Sequence, residues 1–230
     1  MQSSMSACAV GFFCALLPLH AQNFDPELAG EVNLIRAEVA SNNMALRQYT
    51  WTEHTEVRVK GKLQSTTDFS CRYAANGQVV KTPLVPENTD GANGVSKRPL
   101  VRKKSELEDY IERAISMIGS YVPPDPQQID AMLARGDASV EPSTPGKLSI
   151  RFNRYFQKGD SMVFSYDPAT KKLDRVTVQS ALGSPKDPVT MIAIFETLPD
   201  GVNHLGSTTV TAPTKKVEVK TSNKSYALAK

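Results

Sequence analysis

Apolar residues recur at three- to four-residue spacing from Leu28 through Val32 and Ile35 to Val39. Asp25-Pro26 stands in front of them, an Asp to cap a helix and a Pro suited to its first turn, so the chain is predicted to open with an amphipathic helix. After Leu46 the period shortens to two. Tyr49, Trp51, Thr55, Val57 and Val59 alternate with Thr50, Thr52, His54, Glu56 and Arg58, the pattern of a half-buried strand. Lys60-Gly61 reads as a turn, and Leu63, Ser65, Thr67, Phe69, Cys71 and Tyr73 form a second alternating run. Asn76-Gly77 is the strongest hairpin signal in the chain, returning it as a third strand from Gln78 to Leu84. Three strands joined by tight turns predict an antiparallel meander.

Residues 86–104 show no periodicity and end in the basic run Lys97-Arg98-Pro99-Leu100-Val101-Arg102-Lys103-Lys104, so an exposed loop is expected. Ser105 and Glu108 match a capping box, and a helix behind them places Leu107, Ile111, Ala114, Ile115 and Ile118 on one face. Pro123-Pro124 breaks the chain. Asp125-Pro126 opens a shorter helix with Ile129, Met132 and Leu133 inward, closed by Gly136. Residues 105–136 are therefore a helical insertion, followed by a Pro/Ser/Gly linker from Glu141 to Gly146.

The remainder is strand-rich. Leu148, Ile150, Phe152, Arg154 and Phe156 alternate, as do Met162, Phe164 and Tyr166; Leu173, Val176 and Val178 follow. Val189 to Leu198 is apolar on both faces, as in a strand covered on both sides. Thr208 to Thr211 and Lys216 to Thr221 finish the sheet. The fold class is α+β: eight or nine strands in one large antiparallel sheet, curved because sheets of that size curl, with two or three helices on its concave face.

Composition adds a compartment. No residue from Met1 to Ala21 is charged, and Ala7 to Leu19 is mostly apolar, about the length of the core of an export signal. Residues 1–21 are read as a cleavable signal peptide and 22–230 as a single exported domain, periplasmic or secreted. Cys8 and Cys14 leave with the signal, so Cys71 has no disulfide partner and is expected to be a small core residue. Lys and Arg number 27 against 24 Asp and Glu, a net +3 too mild for a dedicated nucleic-acid binder. No apolar run reaches the roughly 18–20 residues of a membrane-spanning helix.

The order helix, meander, helical middle and strand block resembles the LolA-like superfamily of periplasmic lipoprotein carriers and lipid-binding proteins. The resemblance lies in Leu46-Arg47-Gln48-Tyr49-Thr50-Trp51-Thr52-Glu53, Val57-Arg58-Val59-Lys60-Gly61-Lys62 and Arg72-Tyr73-Ala74-Ala75-Asn76-Gly77-Gln78, with Phe164-Ser165-Tyr166-Asp167-Pro168-Ala169-Thr170 and the stretch from Val189 to Gly201. It implies an incomplete barrel wrapped around helices, with an apolar cavity for acyl chains. No functional residue is carried over from the superfamily.

Catalytic motifs are missing. There is no His-Glu-x-x-His, no Cys-x-x-Cys, no Gly-x-Ser-x-Gly and no phosphate-binding glycine loop, so no enzyme, metal or cofactor is expected. His54 and His204 are both expected on the surface. Glu53, Glu56 and Asp68 are candidates for a carboxylate cluster, against cross-strand pairing with Arg58, Lys60 and Lys62. Trp51, Phe69, Ile111, Ile115, Phe152, Phe164 and Phe195 should point inward, either as plain core or as the lining of a hydrophobic cavity.

Two functions stay open. One is a carrier for an acyl chain, lipid or lipoprotein, gated by the 105–118 helix, with Lys97, Arg98, Arg102, Lys103 and Lys104 meeting anionic lipid. The other is an envelope interaction or sensory module with a filled core, meeting its partner through the 86–104 loop or a carboxy-terminal edge strand.

Overall fold

A computed structural model describes residues 25–84, 98–141 and 143–229. The expected signal peptide and residues 86–97 of the expected loop lie outside them. Helix α1 (Pro26–Leu46) begins where the Asp25 carboxylate accepts the backbone N–H groups of Glu27 and Leu28, with Pro26 in the first turn. The meander follows as β1 (Tyr49–Val59), β2 (Lys62–Tyr73) and β3 (Val79–Pro83). Lys60 and Gly61 turn it at φ 52° and 75°, the left-handed pair that suits the right-handed twist of hairpin strands.

After the meander come α2 (Arg98–Gly119), α3 (Pro126–Arg135), β4 (Ala138–Glu141), β5 (Leu148–Asn153), β6 (Ser161–Asp167), β7 (Lys172–Ala181), β8 (Pro188–Thr197), β9 (Asn203–Ala212) and β10 (Val217–Leu228). All ten strands form one open antiparallel sheet in the order β3-β2-β1-β10-β9-β8-β7-β6-β5-β4. The last strand thus lies beside the first and joins the two halves. All three helices pack on one face. Leu28 and Val32 of α1, Tyr110 and Ile118 of α2 and Met132 of α3 share a core with residues from β5 to β10.

Several expectations are corrected. Helix α2 starts at Arg98, so Ser105 lies inside it and four of the five basic residues are helical. Pro99 fits a first turn, where its missing N–H costs nothing, and Leu, Arg and Lys then carry the helix through the capping-box match. The four-residue β4 was not expected, being too short to show a period. Strand β5 stops at Asn153 because Arg154 turns at φ 61°, leaving Phe156 54% exposed. Strand β8 is covered on one face only: Ile192 on the other is 36% exposed, because the outer face of the sheet meets solvent. The carboxy-terminal strand is no edge. Hydrogen-bonded to both β1 and β9, it leaves β3 and β4 as the outermost strands. His204 is 5% exposed, not a surface residue.

The three carboxylates do not form one cluster, because the strand alternation puts Glu53 on the opposite face from Glu56 and Asp68. Glu53 lies on the Trp51 side of β1 and pairs with Lys81, while Glu56 meets Arg58 and His54, and Asp68 meets His54. His54 Nδ1 is 2.8 Å from Asp68 Oδ1 and its Nε2 is 3.5 Å from Glu56 Oε1. The Asp68 hydrogen bond outweighs partial burial and raises the imidazole above its ordinary 6.5. A raised native pKa means the contribution is complete below about 6.5 and is lost as pH climbs through the native value. Urea unfolding between pH 5 and 8 should show stability falling with pH across that window, and His54→Gln should flatten the slope.

Candidate functional site

Helix α1 is seated at its ends. Leu28 and Val32 are buried near the start and Leu46 at the finish, while Ile35 and Val39 between them are only partly covered. Polar clasps hold its length. Tyr166 Oη donates to Glu31 Oε2 at 2.5 Å. Arg36 pairs with Asp130 at 2.7 Å and donates to the carbonyl of Pro126 at 3.0 Å. The Asn42 amide donates to the Asn203 carbonyl at 2.5 Å and accepts the Asn203 N–H at 2.7 Å.

Along the middle of α1 lie two adjoining hollows, or lobes. The first, about 390 Å³, is apolar; Val32, Ile35, Ile129, Ile150, Phe152 and Phe164 face it, with Pro123 and Pro124 at one side. Phe152 and Phe164 meet edge to face at 5.8 Å. The second, about 330 Å³, is aromatic and polar, lined among others by Trp51, Glu53, Tyr73, His204, Asn223 and Tyr226. Val39, Asn43 and Leu173 line both. Each volume falls in the range of about 300–1,000 Å³ typical of small-molecule pockets.

The aromatic wall follows from strand register. Trp51 is opposite Cys71 on β2, so Tyr73, two residues on, shares its face, with the rings 5.3 Å apart. Tyr226 reaches the same cluster through an irregularity in β10. Ser225 adopts φ 56°, the β1–β10 register shifts between Thr50 and Thr52, and the Tyr226 ring stacks on Trp51 at 5.5 Å and 11°. Trp51 Nε1 donates to Asn223 Oδ1 at 3.1 Å. Glu53, 8% exposed, accepts from Lys81 Nζ at 2.5 and 2.7 Å. Burial pushes the Tyr226 hydroxyl well up, so it stays protonated and donates to the Leu205 carbonyl.

The predicted lining residues are therefore divided. Trp51 and Phe195 line the aromatic lobe, and Phe152 and Phe164 the apolar one. Ile111 and Ile115 line a separate space of about 540 Å³ between α2 and the β1–β2 hairpin. Phe69 lines none of these three; its ring lies 5.9 Å from the Lys81 ammonium. Glu53, Tyr73, His204, Asn223 and Tyr226 were not picked out as lining residues. Hairpin parity from Trp51 was enough to find Tyr73, but nothing in the sequence announces the turn at Ser225. Cys71 is buried, and burial raises its thiol above the usual range, away from reactivity. Among the described residues no group of three or more His, Cys, Asp or Glu is placed to hold a metal ion.

No family model matches the chain, and no curated protein matches it. Among solved structures it is similar to a DUF1329 family protein from Desulfovibrio piger, with a TM-score of 0.47 and 11% identity over 89% of this chain and 93% of that one.

The Asn42 clasp gives a direct test of how α1 is held. Asn42→Ala removes both bonds to Asn203 and should cost about 1–3 kcal/mol in chemical unfolding. Amide exchange should quicken from residue 35 to residue 46 and stay unchanged in β8.

Proposed function

We propose that the chain is an exported, non-enzymatic carrier for a hydrophobic ligand: an acyl chain, a lipid or a lipoprotein. The observation that carries this reading is the apolar lobe under α1. A helix fixed at both ends leaves its middle over a space that Ile35, Phe152 and Phe164 line without filling. Unfilled apolar space lowers stability, so its retention favours a guest over plain packing. Burial supplies the affinity, about 0.8 kcal/mol per methylene moved out of water. Ten methylenes give roughly 8 kcal/mol, from which the cost of association is subtracted.

Access runs past α1, whose clasps are polar contacts at its rim, in place of the 105–118 helix. The uncharged apolar run near the amino terminus supports export into the cell envelope. Lys97, Arg98, Arg102, Lys103 and Lys104 add an attraction to anionic lipid of roughly 1 kcal/mol per basic residue near a membrane surface.

Native mass spectrometry of the purified chain and titration with a fluorescent fatty acid test the reading. A bound lipid mass or saturable uptake is expected. Val39→Phe, at the junction of the two lobes, should reduce uptake about tenfold by occupying the space with a ring. Ligand-free protein that takes up no probe would overturn the proposal.

A further inference from the structure

The two lobes differ in chemistry, and the difference specifies a ligand with two ends. This step rests on the carrier reading and deepens it. In the apolar lobe no carboxylate lines the wall among the described residues, and Arg36 is tied to Asp130 and Pro126. The aromatic lobe holds hydrogen-bonding groups in a buried setting. Asn223 is 7% exposed. Its carbonyl oxygen accepts from Trp51, and its amide nitrogen makes no hydrogen bond among the described residues. His204, 5% exposed, is more deeply buried, and its Nδ1 has no partner there either. Leaving a buried atom such as His204 Nδ1 unpaired costs about 1–3 kcal/mol, so a partner supplied by a ligand is favoured there.

The charge balance decides the kind of partner. Lys81, Lys171 and Lys172 line this lobe, against Glu38 and Glu53. Both oxygens of Glu53 are engaged by Lys81. Lys171, just before β7, and Lys172, its first residue, are half-buried; Lys172 interacts electrostatically with Asp200 at the β8–β9 turn but is not within ion-pair distance of it. The charged groups of the lining therefore carry a net positive balance, since Lys81 and Glu53 neutralise each other and two ammonium groups remain against one carboxylate, Glu38. A head group that accepts hydrogen bonds and carries negative charge fits this set; a cationic one does not.

We propose that the aromatic lobe receives the acidic head, carboxylate or phosphate, of a single-tailed amphiphile whose acyl chain lies in the apolar lobe. Val39, Asn43 and Leu173, common to both, mark where head and tail join. The Asn223 amide and the Lys171 and Lys172 ammonium groups donate to the head, and the Trp51–Tyr226 stack walls it from water.

The chain carries a single Trp, and it is Trp51, so intrinsic fluorescence reports on this lobe directly. The full chain is titrated with laurate, 1-lauroyl lysophosphatidate and 1-dodecanol, and the emission of Trp51 is read alongside native mass spectrometry. At least one of the acids should bind about tenfold more tightly than the alcohol and shift the emission. The tighter acid identifies the head as carboxylate or phosphate. Asn223→Asp keeps an oxygen for the Trp51 N–H and replaces the free donor with a negative charge. It should weaken the acids about tenfold while leaving dodecanol nearly unchanged. The double variant Lys171→Gln/Lys172→Gln should act in the same direction without touching the aromatic wall. Equal binding of acids and alcohol, or variants without effect on the acids, would overturn the head-group assignment and leave the carrier reading standing. Failure of all three amphiphiles to bind would overturn both.

Discussion

The pairing of β1 with β10 is the constraint on which the rest depends. Val57 is opposite Val219 and Val59 opposite Val217, while the Thr55 and Thr221 hydroxyls hydrogen-bond at 3.1 Å across a separation of 166 residues. Without this ladder the meander and the carboxy-terminal block would be two separate sheets, each with an open edge where the other now sits. With it they form one floor broad enough for three helices. The arrangement has a kinetic side. Contacts this distant in sequence are formed only after a large loss of chain entropy, so the sheet belongs among topologies that fold slowly.

On that floor the helices are seated unevenly. Met132 of α3 and Ile118 of α2 are buried in the common core, whereas the middle of α1 spans a gap. Its position is secured by directional bonds from Glu31, Arg36 and Asn42 in place of continuous apolar packing. Polar bonds at a rim exchange with water at small net cost, whereas packed methyl groups do not. The helix over the hollow is thus the element whose separation from the sheet disturbs the core least.

Much of this architecture was legible in the chain. The spacing of Leu28, Val32, Ile35 and Val39, the alternation from Tyr49 to Val59 and the Asn76-Gly77 turn all report local periods, which the tertiary fold preserves. The LolA-like resemblance implied a curved sheet around helices, and a large open antiparallel sheet with three helices on one face is what the chain forms. What escaped was non-local. The Ser105-Glu108 match is a true local signal overridden by helix continuing from Arg98. Val217 and Val219 reveal a strand but not that it lies in the interior of the sheet. The aromatic lobe depends on Ser225 taking a left-handed φ, a property of its place between paired strands rather than of serine. His204 looked exposed because it follows the Asp200-Gly201 turn, yet Tyr226, 4.2 Å away between ring centroids, covers it.

The two outermost strands are brief. Strand β4 has four residues, and β3 has five and ends in Pro83, which has no N–H to offer a neighbour. A sheet of ten strands presents two rows of unpaired backbone groups, the template from which fibrils grow by stacking of identical chains. Strand β3 covers β2 only from Phe69 to Tyr73, and the exposed residues from Lys62 to Thr67 pair with β1 alone among the described residues. The first half of β2, polar apart from Leu63, is therefore the stretch of edge most open to a second strand.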